Sequence, residues 1–216
     1  MKNIELIKPK LEEYSYEKKL NEDKDTMSYN SGYDLSLDRY HYDTGCIDFP
    51  KKIWKEIYDK RKEEKRYFAY IKDHSINKYV GYVNYQYNKE EKIYECGIVI
   101  EAKHRGKGYS KDALKLLIKE ANRNGIKYLY DIFEKDRGNT LNIFESIGFK
   151  VIKEITYKKF NRNVTGVVVR INTNKVKPNI KKVKTIEDVL TFMKENIRYG
   201  WVDNNDINHI GNMKNF

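Results

Sequence analysis

The stretch from Tyr94 to Ala121 restricts the fold of this chain more than any other. Ile98, Val99 and Ile100 form a β-branched run suited to a strand, and Ala113, Leu114, Leu117, Ile118 and Ala121 recur at helical spacing. Between them lies the basic glycine turn Arg105-Gly106-Lys107-Gly108-Tyr109-Ser110. A strand that delivers such a turn onto a helix N-terminus builds an anion site. The first-turn amides are unpaired, the helix dipole adds partial positive charge, and glycines let a ligand approach the backbone. Arg105 and Lys107 add full charges. Spacing excludes two other phosphate loops. A Walker loop would need glycine where Glu101 stands, and a dinucleotide fingerprint would need one at Lys111.

The flanking sequence reads as alternating strands and helices. Asn3 to Lys8 is an opening strand stopped by Pro9, and Lys10 to Lys24 carries a sparse helical stripe of Leu11, Tyr14 and Leu20. Thr26 to Phe49, rich in Tyr, Asp, Ser and Gly, has no sustained period and reads as a long loop. Pro50 opens a helix with Ile53, Trp54, Ile57 and Tyr58 on one face, running to about Lys62. Short polar turns then join strands at 66–72, 79–87 and from 92, which makes them consecutive and antiparallel. The tyrosines at 82, 85 and 87 either line a groove or are ordinary strand aromatics. After the turn, a helix from Ser110 ends at Asn124-Gly125, and Ile126 to Phe133 is a strand parallel to the one before it. Asp136 to Ile147 reads as a short helix, and 149–157 with 164–171 as a hairpin around Asn161-Arg162-Asn163. The expected architecture is α+β: a mixed, mostly antiparallel central sheet flanked by helices on both faces, with a C-terminal helical tail.

With Asn139 and Phe144-Glu145-Ser146-Ile147-Gly148-Phe149 following the Arg-Gly-Lys-Gly-Tyr turn, residues 67–170 resemble the GCN5-related N-acetyltransferase (GNAT) family. The resemblance implies an acetyl-CoA-dependent N-acetyltransferase acting on a primary amine of a small molecule or protein by direct transfer. It implies that Arg105, Gly106, Lys107, Gly108, Tyr109 and Ser110 grip the pyrophosphate. Backbone amides at Ile98, Val99 and Ile100, exposed by a splay from the next strand, would pair with the cofactor arm and polarise its carbonyl. Glu95, the nearest carboxylate on that strand, is the expected general base, unless it is only a paired strand residue; Asp131 and Glu134 are rivals, as base or as a lure for a cationic amine. The tyrosine with which the family often reprotonates the thiolate is replaced by Phe144, so Tyr130 or Tyr109 substitutes, or solvent does. Arg137 stands at the customary place of the asparagine that binds the cofactor arm, with Asn139 two residues on. The loop at 26–49 would lie over the acceptor, where Asp34, Asp38, Asp43 and Asp48 attract an amine or simply form turns and caps.

Composition bounds the alternatives. Over 216 residues, 35% are charged and 39% apolar, and no apolar run is long enough to cross a membrane. No secretory signal opens the chain, so a cytoplasmic location is expected, with no membrane partner. The two cysteines and four dispersed histidines have no metal spacing, so no metal is expected. The net charge of +11 is spread among acidic residues rather than gathered in a basic block. It therefore reads as a solvated surface rather than a nucleic-acid site. A non-catalytic module that binds acyl-CoA or nucleic acid is the alternative reading. We expect an acetyltransferase domain over 1–171, a basic linker over 172–184, and over 185–216 a helical tail or part of a second module. Ile186, Val189, Leu190 and Met193 form a stripe that must dock on the main domain, on that module, or on a second subunit to give a homodimer.

Overall fold

The computed structural model describes residues 2–35, 37–63 and 66–175. The strands are β1 (Ile4–Ile7), β2 (Arg66–Asp73), β3 (Lys78–Asn88), β4 (Ile93–Ile100), β5 (Tyr128–Glu134), β6 (Lys150–Lys159) and β7 (Arg162–Asn172). The helices are α1 (Tyr14–Asn21), α2 (Lys24–Met27), α3 (Trp54–Glu63), α4 (Tyr109–Arg123) and α5 (Thr140–Ser146). The strands form one seven-stranded sheet in the order β1-β2-β3-β4-β5-β7-β6. The α4 crossover makes β4 and β5 parallel, whereas every other neighbouring pair is antiparallel. This is the mixed α+β sheet that the hydrophobic pattern predicts. The proposed tail helix and most of the linker lie outside the described residues.

Alternation along the strands divides their side chains between two layers. Tyr67, Ala69, Val83, Tyr85, Cys96, Leu129, Phe133, Val167 and Val169 join one core with Ala113, Leu114, Leu117 and Ile118 of α4 and Phe144 of α5. Leu114, Leu117 and Ile118 are fully buried, and each contributes roughly 1.5–3 kcal/mol through loss of contact with water. The opposite face carries α1 and α3. There Tyr14, Phe49 and Trp54 form a second cluster, and Arg61 of α3 reaches Glu17 of α1 by two hydrogen bonds of 2.7 and 2.8 Å. The same guanidinium lies 3.6 Å from the centre of the Phe68 ring on β2. Charge pairing and cation–π contact thus hold α3 against both α1 and the sheet.

Three local differences from the sequence reading have physical causes. The helix expected over 10–24 is interrupted at Asp23, whose carboxylate accepts a hydrogen bond from the Thr26 amide and starts α2 afresh. The helix expected from Asp136 begins at Thr140, because the preceding chain turns back, with Arg137 N bonded to Glu134 O, and passes through Gly138 at φ +49°. The final hairpin turns at Phe160-Asn161, both at positive φ. The long loop is held against this turn: the Phe160 amide donates to Gly32 O at 2.8 Å, and Tyr42 meets the Phe160 ring edge-on. A Cβ at Gly32 would fall 2.5 Å from that ring, so the close approach requires glycine.

Candidate active site

β4 and β5 meet at a single register, Glu95 opposite Tyr130, and then separate. Beyond that point the edge of β4 facing β5 has no strand partner, and its peptide groups border an opening through the sheet. The opening is a cavity of about 560 Å³ lined from both layers. Asp131, Phe144 and Ser110 come from the side of α4 and α5, and Tyr29, Tyr82 and Asn84 from the side of α1. A ligand in the slot would be reachable from either face.

At one end the slot meets the glycine turn. Gly106 and Gly108 have φ of +73° and +82°, and a Cβ on either would meet no atom within 4 Å. The left-handed backbone, rather than crowding, makes glycine the suited residue here. Gly108 is the N-cap of α4 and no side chain caps it, so the first-turn amides are open to an anion. The turn is held from behind by α2. Thr26 Oγ1 accepts from the Ala102 amide at 3.0 Å, and Arg105 donates to the carbonyls of Ile100, Asp25 and Thr26 at 3.3, 2.9 and 2.6 Å. Arg105 therefore braces the turn with its donors while its charge remains beside it. His104 is buried with neither ring nitrogen hydrogen-bonded, and burial lowers its pKa.

Of the residues singled out by sequence, Ile98, Val99, Ile100, Arg105, Gly106, Ser110, Asp131, Asn139 and Phe144 are brought together around the slot. Lys107 and Gly108 are exposed on the turn beside it. Tyr109 is turned into the core, where its hydroxyl donates to Asp73 at 2.6 Å, leaving only its backbone amide for the turn. Glu95 stands at the junction of the two strands, outside the slot lining, and accepts a hydrogen bond from Asn88 at 3.0 Å. Tyr130, opposite it, is likewise outside the lining. Asn139 lines the slot at the N-cap position of α5, where its side-chain oxygen accepts from the Asn142 side-chain amide at 2.8 Å rather than from a backbone amide. Of the three strand tyrosines, Tyr82 reaches the slot, Tyr85 is buried against Asn124, and Tyr87 is exposed. Asp34, Asp38 and Asp43 are exposed on the loop, and Asp48 pairs with His41. None of these four lines the slot.

Asp131 is the carboxylate that faces the slot. It follows Leu129 and precedes Phe133 on the core-facing side of β5, and burial raises its pKa to about 7. The Ile132 amide, bonded to Asp131 Oδ1 at 2.7 Å, and the charge of Arg137 oppose that rise, while Glu95 adds to it. A carboxyl group near pH 7 can exchange a proton with a bound amine under physiological conditions. One contributor escaped the sequence reading. Tyr29, from the 3-10 turn Ser28–Asn30 that follows α2, enters the slot, and Arg137 lies 4.3 Å over its ring. Tyr29 and Tyr82 both have raised pKa values because of burial, which keeps their hydroxyls protonated. No local pattern identifies Tyr29, because it is brought here by the packing of α2 onto the turn.

Among the described residues there is no group of three potential metal ligands, and no helix is long and apolar enough to cross a membrane. No curated protein matches the sequence. The fold is shared with spermidine N-acetyltransferase from Vibrio cholerae, solved with CoA and spermine, at 16% identity and TM-score 0.65 over 81% of this chain and 98% of that one. It is also shared with yncA from Salmonella typhimurium, solved with its cofactor acetyl-CoA, at 14% identity and TM-score 0.63, covering 83% and 99%. A GNAT-family acetyltransferase from Bacillus anthracis matches at 15% identity and TM-score 0.60, covering 81% and 97%. The profile of the Acetyltransferase (GNAT) family matches residues 30–149, more than half of the sequence, and the chain belongs to that family.

Proposed function

We propose that this protein transfers an acetyl group from acetyl-CoA directly to a primary amine. The observation that carries this reading is the slot itself: a gap through the sheet that runs from an uncapped helix N-terminus to a carboxyl group with a pKa of about 7. The similar V. cholerae and S. typhimurium structures hold CoA and acetyl-CoA, which supports the same donor here. A module that only bound acyl-CoA would have no use for a proton acceptor inside the slot, so the reading favours catalysis over binding alone.

The residues present fit that donor. The open backbone at Gly106 and Gly108 and the first turn of α4 would take its pyrophosphate, with Arg105 and Lys107 supplying charge. The unpartnered edge of β4 from Ile98 to Ile100 would take its amide arm, with Phe144 and Asn139 on the far wall. Acetyl-CoA supplies the activated acyl group: the amine nitrogen bonds to the carbonyl carbon as the C–S bond breaks. Asp131 takes the ammonium proton at a carboxylate oxygen, directly or through water, before attack. Backbone amides of the β4 edge stabilise charge on the carbonyl oxygen. The Tyr29 hydroxyl gives a proton to the departing sulfur. The second proton, which the nitrogen sheds as the amide forms, passes to solvent, which restores Tyr29, and Asp131 releases its own proton to solvent for the next turnover. Tyr29 thus fills the role left open by Phe144, and Asp131 takes the role for which sequence order favoured Glu95.

The direct test is calorimetric titration with acetyl-CoA and CoA, followed by thiol-release assays over a panel of amines. Micromolar-range binding and amine-dependent thiol release are expected. A folded protein that ignores acetyl-CoA but binds RNA or DNA with strong salt dependence would refute the proposal.

A further inference from the structure

The Arg137 guanidinium carbon lies 4.3 Å from the centre of the Tyr29 ring, and its N–H donors make no hydrogen bond or ion pair among the described residues. Such a fork suits a carboxylate, because two parallel donors match two oxygens. Arg105, the other arginine of the slot, directs its donors to three carbonyls. The carboxylates near the slot are also mostly committed: Glu134 is held by Lys159 and Tyr33, Glu17 by Arg61, and Glu95 by Asn88. Asp131 alone lines the cavity, where the charge of Arg137 is felt. Asp131, which has no cationic partner within ion-pair distance and whose Oδ1 accepts the Ile132 amide, and a guanidinium without hydrogen bond or ion pair among the described residues therefore share one small space.

From this arrangement we infer that the acceptor is a zwitterion: a primary amine carrying a carboxylate a few bonds away, as in an amino acid, rather than a polyamine. The ammonium group meets Asp131 and the carboxylate meets the edge of Arg137, while Tyr29 supports the guanidinium from behind. A polyamine would bring several positive charges to a wall that offers one carboxylate and two arginines. The inference rests on the acetyl-CoA reading above and deepens it.

The probes are single amino acids, the matching amino-acid amides and spermidine, each with acetyl-CoA and full-length protein. At least one amino acid should exceed its amide in kcat/KM by roughly 10- to 100-fold, the range for a hydrogen-bonded charged group. Arg137→Gln should bring that ratio close to one by raising KM for the amino acid, with the Kd of acetyl-CoA unchanged. Arg137→Lys, which keeps the charge but not the fork, should retain part of the ratio and shows whether loss of folding explains the first variant. Equal rates for acids and amides, or preference for spermidine, would overturn the acceptor class while leaving the donor reading intact. A weakened acetyl-CoA Kd in Arg137→Gln with an unaltered ratio would assign Arg137 to the donor instead and likewise overturn it. Failure of the wild type to bind acetyl-CoA would bring down both readings.

Discussion

Asp131 ties reactivity and stability to the same proton. Its pKa of about 7 in the folded protein means that the carboxylate able to accept a proton disappears as pH falls below neutrality. The kcat profile should therefore show an acidic limb near pH 7. Asp131→Asn should remove that limb and lower kcat roughly 10²- to 10⁴-fold, with acetyl-CoA affinity retained. The stability effect has the opposite sense. An unfolded aspartate titrates near 3.8, so between that pH and 7 the folded chain holds a proton that the unfolded chain has released. Stability consequently falls as pH rises through this window. Asp131→Asn should therefore be more stable than wild type at pH 8, by on the order of 2 kcal/mol, less than the full shift implies because the side chain opens onto the slot. A denaturation series at pH 5 and pH 8 measures it, and an equal effect at both would disprove the burial argument. Tyr29→Phe should lower kcat while leaving the acidic limb in place. The carboxylate was a candidate from its strand position, but its pKa comes chiefly from burial, adjusted by Arg137 before α5 and Glu95 on β4, which no local pattern displays.

At the scale of elements, β4, the glycine turn and α4 work as one unit. The Ile98–Ile100 run, the glycines and the apolar stripe were each legible, because strand period, positive-φ preference and helical period are local properties. The brace from α2 was not legible: Thr26 and Arg105 meet through tertiary contact across the turn. The open surroundings of Gly108 set what a side chain there would cost. A side chain would find open space there, so its cost in the free protein comes from φ at +82° and amounts to about 1–2 kcal/mol. The larger penalty should appear on binding. Gly108→Val should lower acetyl-CoA affinity at least about 10-fold through obstruction of the backbone approach, with a Tm only a few degrees lower. Calorimetry on the folded variant checks this, and wild-type affinity would rule out the turn as the phosphate site.

For the whole molecule, the last described turn shifts the place where the main domain can be cut. Sequence composition put the boundary after Ile171, but Thr173 is buried, with its hydroxyl donating to Ile126 O at 2.6 Å and its amide to Lys127 O at 3.0 Å. A chain ending at Lys175 keeps these bonds. It should fold and bind acetyl-CoA as the full chain does, whereas a chain ending at Ile171 should melt lower; loss of acetyl-CoA binding on removal of 176–216 would place the tail in the site. By itself the sequence determined the α+β class, the parallel β4–α4–β5 crossover, the glycine turn and the family, because each rests on spacing within a few tens of residues. Only tertiary structure decided that β7 lies between β5 and β6, and that β4 and β5 part after one paired position. It likewise decided that Tyr29, Asp131 and Arg137 share one cavity. These outcomes depend on how layers pack and how far water is excluded, and both arise from contacts between residues distant in the chain.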